Sequence, residues 1–374
     1  MTMLPPPVIV GSGSYVCRPL IPNEELFEWI RPRKPDGELV PPEWIERNLG
    51  IRARSFDIDV RTATKRSREQ GGLYDGDLAL RAARAALDDA GLEGAAVDVL
   101  VHVSCTPDTL YFNDHLRFLT RELGLRRDAH LVHFDLGCAG LAPALRAARA
   151  ELASDASATV LVVASNCSSG HLTRDTVSMY VDHRDPWAWL SAALFGDGAG
   201  ALVLAPARER ERGGLLRLWY ETRPELTIVS YRGGGGIAPT SARNAAEHVF
   251  VMEARTVGRS FTPIMRCTFE RLVRDWPQHV EPLVGHAFDV DRIKRWYFHQ
   301  ANPLIVTRTA EELGLPLERV PTNAQCYGNT CAASTLLLFD ADRRAGVLDP
   351  GDLGVFLWVG AGNGAQYGYA VVAV

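Results

Sequence analysis

The sequence lacks the cysteine spacings that would indicate a metal site or a disulfide framework. None of its seven cysteines forms a CxxC pair. The close pair Cys326 and Cys331 has no second pair or nearby histidine that would complete a metal site. We therefore predict no metal site, with reduced cysteines in a cytoplasmic protein. We also expect no bound cofactor.

Long apolar runs and an excess of positive charge are also missing. No stretch of about 18 uninterrupted apolar residues occurs, so the sequence predicts no membrane span. The opening MTMLPPPVIVGSGS lacks the basic segment and long apolar run of a signal peptide. A net charge of −5 argues against nucleic acid as the main partner.

Apolar, β-rich runs alternate with helical patterns along the chain, which is typical of an α/β fold. Strands are expected over residues 97–104 and 130–137, and helices over 76–90 and 139–153. The charged, glycine-ended segment 208–214 is expected to be a solvated connection.

The two halves of the chain resemble each other. HFDLGCAGLAPALRAA has the layout of AQCYGNTCAASTLLLFDA, and LFGDGAGALVLA has that of WVGAGNGAQYGYAVVA. Cys105 precedes Cys138 by 33 residues, and His299 precedes Asn329 by 30. We predict duplicated α/β halves, 1–207 and 215–374, with a site at their junction. Chance similarity among Gly- and Ala-rich turns is the alternative.

Cys138 lies where a predicted strand ends and a small-residue helix begins. The free N–H groups and the dipole of a helix N-terminus stabilise a thiolate, and Gly137 and Gly140 leave room for a substrate. This setting favours a nucleophile that forms a thioester intermediate. A small buried core cysteine is the alternative, but it would leave the glycines unexplained.

His299 and Asn329 have ordinary explanations when each is taken alone. A histidine at a strand end is often structural, and an asparagine beside Gly328 is often a turn residue. In a duplicated chain, however, Cys138 and Asn329 occupy equivalent helix starts that face one junction. His299 then projects from an adjacent loop.

Five motifs, in this order along the chain, resemble those of the ketosynthase III group of the thiolase superfamily. They are GCAG at 137–140, FGDGAG at 195–200, HQAN at 299–302, YGNT with CAAS at 327–334 and GAGNG at 360–364. The resemblance covers almost the whole chain. It implies a thiolase fold in five α-β-α-β-α layers and a homodimer.

The resemblance also implies roles for individual residues. Cys138 would take an acyl group from a coenzyme A or acyl-carrier-protein thioester, and His299 and Asn329 would stabilise the enolate of a second thioester. The backbone N–H groups of Cys138 and Ala361 would form an oxyanion hole. The implied substrate-binding residues are Trp44, Arg47, Asn48, Phe112, Phe195 and Asn302.

The sequence departs from the fatty-acid-initiating members of that group. Asn48 stands where they grip adenine with an arginine, although Arg47 is adjacent. Leu304, Glu311 and Glu312 replace basic residues that dock acidic carriers, so repulsion of such a carrier is expected. These differences point away from fatty-acid initiation and towards a specialised biosynthetic pathway. The leading prediction is therefore Claisen condensation of two acyl thioesters in polyketide or related secondary metabolism.

Two segments allow more than one interpretation. Residues 166–193 are predicted to be either a cap that lines an acyl tunnel or a dimer-interface loop. Segment 111–115 lies in a region that crosses to the partner subunit in relatives. Asp114 or His115 could act there as a base, although a helix N-cap is the plainer role for Asn113 or Asp114.

The sequence leaves two alternatives to condensation open. The first is an acyltransferase that moves the acyl group from Cys138 to an alcohol or amine, with His299 as base. The second is an inactive partner subunit, but such subunits usually lose the nucleophile or its partners, and this chain keeps all three.

Overall fold

The computed structural model describes residues 6–59, 62–109, 112, 114–181, 185–207, 213–230 and 250–374. Among these residues the strands are β1 (Val8–Val16), β2 (Leu20–Pro22), β3 (Ala53–Ser55), β4 (Val99–Val103), β5 (His130–Phe134), β6 (Val160–Asn166), β7 (Gly198–Ala205), β8 (Gly214–Arg223), β9 (Val229–Ser230), β10 (Val251–Met252), β11 (Ile293–Phe298), β12 (Leu353–Gly362) and β13 (Gly364–Ala373). The helices are α1 (Asn23–Ile30), α2 (Glu43–Leu49), α3 (Asp75–Ala90), α4 (Asp114–Leu123), α5 (Leu141–Ser154), α6 (Arg174–Val181), α7 (Trp189–Leu194), α8 (Ala254–His279), α9 (Glu281–Val284), α10 (Pro303–Glu312), α11 (Ala324–Tyr327) and α12 (Ser334–Arg344).

The first half forms a five-stranded sheet in the order β1-β7-β6-β4-β5. Strands β6, β4 and β5 run parallel, whereas β7 is antiparallel to both β6 and β1. The central strands β4 and β6 are buried along their whole length. Their near-continuous apolar sequences suit strands that are covered on both faces.

The second half repeats this arrangement. Its four strands follow the order β8-β13-β12-β11, which corresponds to β1-β7-β6-β4, and the parallel and antiparallel pairs match one for one. This correspondence confirms the predicted duplication. The strand β8 begins at Gly214, the last residue of the segment expected to be a solvated connection, and was not predicted.

Helices separate and cover the two sheets. Helix α3 packs on β1, β6 and β7 at one outer face, and α8 packs on β12 and β13 at the other. Helices α5 and α12 lie between the sheets, where each contacts strands of both halves. The molecule therefore has the expected five layers, α-β-α-β-α, with the central helices in a shared apolar core.

Short elements outside the layers form a further apolar cluster above the sheet junction. It combines α1, α2, α6 and α7 with the side chain of Cys138. Trp44 stacks on Trp187 in this cluster, with ring centroids 5.7 Å apart. None of the helices described is long and apolar enough to cross a membrane.

Candidate active site

Cys138 lies in a tight turn between the end of β5 and the start of α5. The Gly140 N–H donates to the Gly137 carbonyl at 2.9 Å, and the Ala139 N–H donates to the Ala361 carbonyl at 3.4 Å. The helix begins at Leu141, two residues later than predicted, so Cys138 precedes its first turn. The bond between Ala139 and Ala361 joins the turn that carries Cys138, the nucleophile turn, to the end of β12.

The closing glycine motif is needed for this close approach. A Cβ atom on Gly360 would lie 2.3 Å from the Cβ atom of Cys138. No side chain fits at that distance. Strand β12 therefore requires glycine where it passes the nucleophile.

Asn329 is held beside the sulfur by hydrogen bonds to its backbone and its side chain. Its N–H donates to the Leu194 carbonyl at 2.9 Å, and its carbonyl accepts from the Gly196 N–H at 2.9 Å. Its Oδ1 accepts from the Cys331 N–H at 2.8 Å. This bond orients the amide so that Nδ2 donates to the Cys138 Sγ at 3.8 Å.

His299 follows β11 directly and is almost fully buried. Its N–H donates to the Leu357 carbonyl at 2.8 Å, and its Nδ1 lies 3.1 Å from the Ser334 Oγ. The structure therefore brings together the three predicted residues from two different halves. His299 and Asn329 also line the same cavity as Cys138.

The surroundings of Cys138 favour its thiolate. A hydrogen bond from Cys331 lowers the pKa of Cys138 well below its usual range, against the opposing effect of burial, and His299 and Asn329 lower it further. Hydrogen bonding with Cys105 and Cys138 raises the pKa of Cys331, which remains a thiol. The Sγ atoms of Cys105 and Cys331 are 4.0 Å apart. Neither cysteine was predicted to belong to the site, because only the fold places them beside Cys138.

Two cavities meet at Cys138. The first, of about 290 Å³, has a largely apolar wall that includes Leu172, Tyr180 and Phe195. The second, of about 350 Å³, contains His299 and Asn329 and extends past Phe261 to Asn48, Leu304 and Arg308. Leu304 and Arg308 are exposed, so this second cavity reaches the surface. A substrate entering there meets the sulfur at the inner end.

The predicted cap is part of the first cavity. Tyr180 of α6 and Ser191 of α7 contribute to its wall. Within the described part of segment 166–193, these side chains thus line the cavity that contains Cys138, and the dimer-interface alternative stays a prediction.

The predicted binding residues are divided between the cavities and the surface. Phe195 lines both cavities, and Asn48 and Asn302 line the second. The Oδ1 of Asn302 accepts from the Ile305 N–H at 2.9 Å, which makes this side chain the N-cap of α10. Neither Trp44 nor Arg47 lines a cavity beside Cys138. Trp44 instead packs against Trp187.

The described residues of segment 111–115 line neither of the two cavities beside Cys138. Phe112 is fully exposed, and His115 is buried against other histidines. Asp114 opens α4 and pairs with Arg117. Tyr111 and Asn113 lie outside the described residues.

Part of the charge expected on α10 is compensated. Glu312 pairs with Arg308 at 3.0 Å and with Arg266 at 2.9 Å. The prediction of a simply negative helix was therefore incomplete, because it counted Glu311 and Glu312 without these arginines. Arg308 also presents positive charge at the mouth of the second cavity.

Comparisons with known proteins agree with this architecture. Residues 285–374 match the family model of the 3-oxoacyl-[acyl-carrier-protein] synthase III C-terminal domain. Residues 73–207 match that of the chalcone and stilbene synthase N-terminal domain. Together with the duplicated fold, they define a condensing enzyme of the thiolase superfamily.

Comparisons with individual relatives identify the family to which the chain belongs within this superfamily. The chain is 31% identical to a beta-ketoacyl-[acyl-carrier-protein] synthase III of Cereibacter sphaeroides, over 95% of each chain. It is 27% identical to the 3-oxoacyl-(acyl carrier protein) synthase III of Pseudomonas aeruginosa. It matches the crystal structure of that protein over 98% of each chain with a TM-score of 0.75. Xanthomonas campestris OleA, at 17% identity, shares the fold with a TM-score of 0.78 and full coverage of both chains. The chain belongs to the beta-ketoacyl-[acyl-carrier-protein] synthase III family and is a ketosynthase III-like condensing enzyme.

Proposed function

We propose that this protein joins two acyl thioesters by Claisen condensation, with Cys138 as acyl acceptor and His299 and Asn329 as enolate-stabilising groups. The observation that carries the proposal is the placement of all three residues around one cavity that reaches the surface. The thioesters are those of coenzyme A or of an acyl carrier protein.

The first half-reaction is acyl transfer. The Cys138 thiolate attacks the thioester carbonyl, and the carrier thiolate leaves and takes up a proton. Backbone N–H groups of Cys138 and Ala361 are proposed to stabilise the oxyanion, since both residues line the first cavity. The acyl chain then lies against the apolar wall around Leu172 and Phe195.

The second half-reaction uses the other cavity. A second thioester enters past Arg308, whose guanidinium suits the phosphate of a pantetheine arm. Its carbonyl accepts hydrogen bonds from His299 and Asn329 while an enolate forms, either by decarboxylation with release of CO2 or by transfer of the α-proton to a base. The enolate carbon attacks the acyl carbonyl, a carbon–carbon bond forms, and the Cys138 thiolate leaves.

The test is Asn329→Ala, followed by separate measurement of the two half-reactions. Loss of one oxyanion donor costs about 3–4 kcal/mol of barrier, so condensation should fall by roughly 10²–10³-fold. Intact-protein mass spectrometry should still detect the acyl group on Cys138. Asn48→Ala is the matched control, because Asn48 lines the same cavity at its outer end. Retained condensation by Asn329→Ala would overturn the role of Asn329.

Acyl transfer to an alcohol or amine is the alternative outcome. Such a reaction needs a nucleophile and a base but no second enolate-stabilising donor. The fixed Asn329 amide beside Cys138 favours condensation. Mass spectrometry of the products formed from one and from two thioesters distinguishes the reactions.

We propose that the pathway is a specialised one, such as polyketide assembly. Support comes from Leu304 and Glu311, which stand where initiating relatives carry basic docking residues. Arg308 and Arg266 offset part of that difference, so the proposal predicts altered carrier selectivity and not exclusion of carriers. Rates of Cys138 acylation by matched coenzyme A and carrier-protein thioesters measure this selectivity.

A further inference from the structure

Three histidines that the condensation mechanism does not use converge at one end of the first sheet. His102 on β4 and His133 on β5 are directly opposite each other in the parallel pair. His115 reaches them from the first turn of α4. They are 13 and 18 residues apart along the chain, and the prediction of no metal site rested on the cysteine spacings alone.

The nitrogen atoms of these rings are arranged as metal ligands are. The Nδ1 of His133 lies 3.2 Å from the Nδ1 of His102 and 3.1 Å from the Nε2 of His115. All three nitrogens lie within 4.8 Å of one another. Two nitrogens bound to one tetrahedral Zn²⁺ at its usual bond length are about 3.3 Å apart, close to the separations observed.

The buried surroundings of the three imidazoles favour the neutral form. Burial lowers the pKa of His102 well below its usual range, and it also lowers the pKa of His115. Burial likewise lowers the pKa of His133, to about 4. A neutral imidazole has a free lone pair, which is the form that binds metal.

The hydrogen-bond partners of the histidine rings also resemble those around metal-ligating histidines. The Nε2 of His102 lies 2.7 Å from the Ser165 Oγ, which lies 2.8 Å from the buried Asp75 carboxyl. A ligand histidine that donates its other N–H toward a carboxylate is the usual outer shell of a metal site. Asp108 and Asp114 add negative charge near His115. Asp75 thus supplies the outer hydrogen bond, while the nearby negative charges of Asp108 and Asp114 are shared with Arg68 and Arg117.

We propose that His102, His115 and His133 bind one divalent transition-metal ion of the imidazole-preferring class, such as Zn²⁺. None of the three lines the cavities beside Cys138, so the ion is structural. It would fix the start of α4 to two strands that lead directly to Cys105 and to the nucleophile turn.

The first experiment uses the whole wild-type protein after removal of metal with a chelator. Equilibrium dialysis against Zn²⁺ should give one ion per chain, and Zn²⁺ should raise the melting temperature. Co²⁺ should give visible d–d bands without thiolate charge transfer. A thiolate band would place the ion at the Cys105–Cys331 pair, and no saturable binding would also overturn the proposal.

Variants localise the ion. His115→Gln and His133→Gln should abolish the stoichiometric binding, and Ser165→Ala should weaken it by about 10–100-fold. His130→Gln is the matched control, because His130 lies on the same strand but is exposed and pairs with Glu151. If both cluster variants retain the ion, the site is elsewhere. The wild-type cobalt spectrum keeps the test decisive if a variant fails to fold.

Discussion

At the scale of single residues, the unusual feature is the thiol of Cys331 beside the nucleophile. It supports the Cys138 thiolate with its side chain and orients Asn329 with its backbone N–H. Its backbone is left-handed, with φ 50°, which only the surrounding fold can impose on a non-glycine residue. One residue thus serves both the nucleophile and the enolate-stabilising amide.

Replacing Cys331 tests its effect on the pKa of Cys138. Cys331→Ala removes the largest influence that lowers this pKa, so alkylation of Cys138 by iodoacetamide should require higher pH than in the wild type. Cys331→Ser keeps a donor and should shift the profile less. Peptide mass spectrometry measures modification of Cys138, with exposed Cys267 as internal reference. Coincident profiles for the alanine variant and the wild type would refute the assignment.

Ser334 is expected to act as a positioning residue through His299. Its Oγ accepts from the Gln300 N–H at 3.4 Å, so its own proton is available to the Nδ1 of His299. This bond leaves the proton of His299 on Nε2. Ser334→Ala should lower kcat about fivefold, the effect of about 1 kcal/mol, with little change in KM. Ser334→Thr should restore kcat, and an unchanged kcat in the alanine variant would contradict the role.

At the scale of elements, Gly360 allows β12 to pass close to the turn that carries Cys138. Gly360→Ala would force a Cβ against Cys138, so we expect slow or absent acylation of Cys138 by an acyl thioester. Gly354→Ala on the same strand is the control, since its Cβ would meet side-chain atoms of Tyr297 and Val372 at 3.2 and 3.3 Å. Intact-protein mass spectrometry measures acylation in both. Normal acylation of Gly360→Ala would show that β12 can move away.

The sequence predicted fully buried strands better than partly exposed ones. Buried strands such as β4 and β6 have continuous apolar runs, and the repeated motifs revealed the duplication. Strand β8 was not predicted, because its sequence, GLLRLWYETR, mixes apolar with charged residues and follows a highly charged segment. The convergence of His102, His115 and His133 depends on strand register and on the direction of α4, which no local pattern contains.

At the scale of the whole molecule, the open edge of the first sheet is expected to form a homodimer. Strand β5 has β4 as its only strand neighbour among the described residues, and exposed Leu131 and Phe112 lie at this edge. Such an edge is a template for pairing with a second copy.

Leu131→Glu should convert the dimer to monomers in sedimentation velocity, because a carboxylate at the joined edge is costly to bury. Leu39→Glu is the matched control, since Leu39 is also exposed but lies near α1 and α2. A wild-type monomer, or a Leu131→Glu variant that remains dimeric, would contradict assembly through β5. Because β5 leads directly to the turn of Cys138, monomers should also show slower acylation.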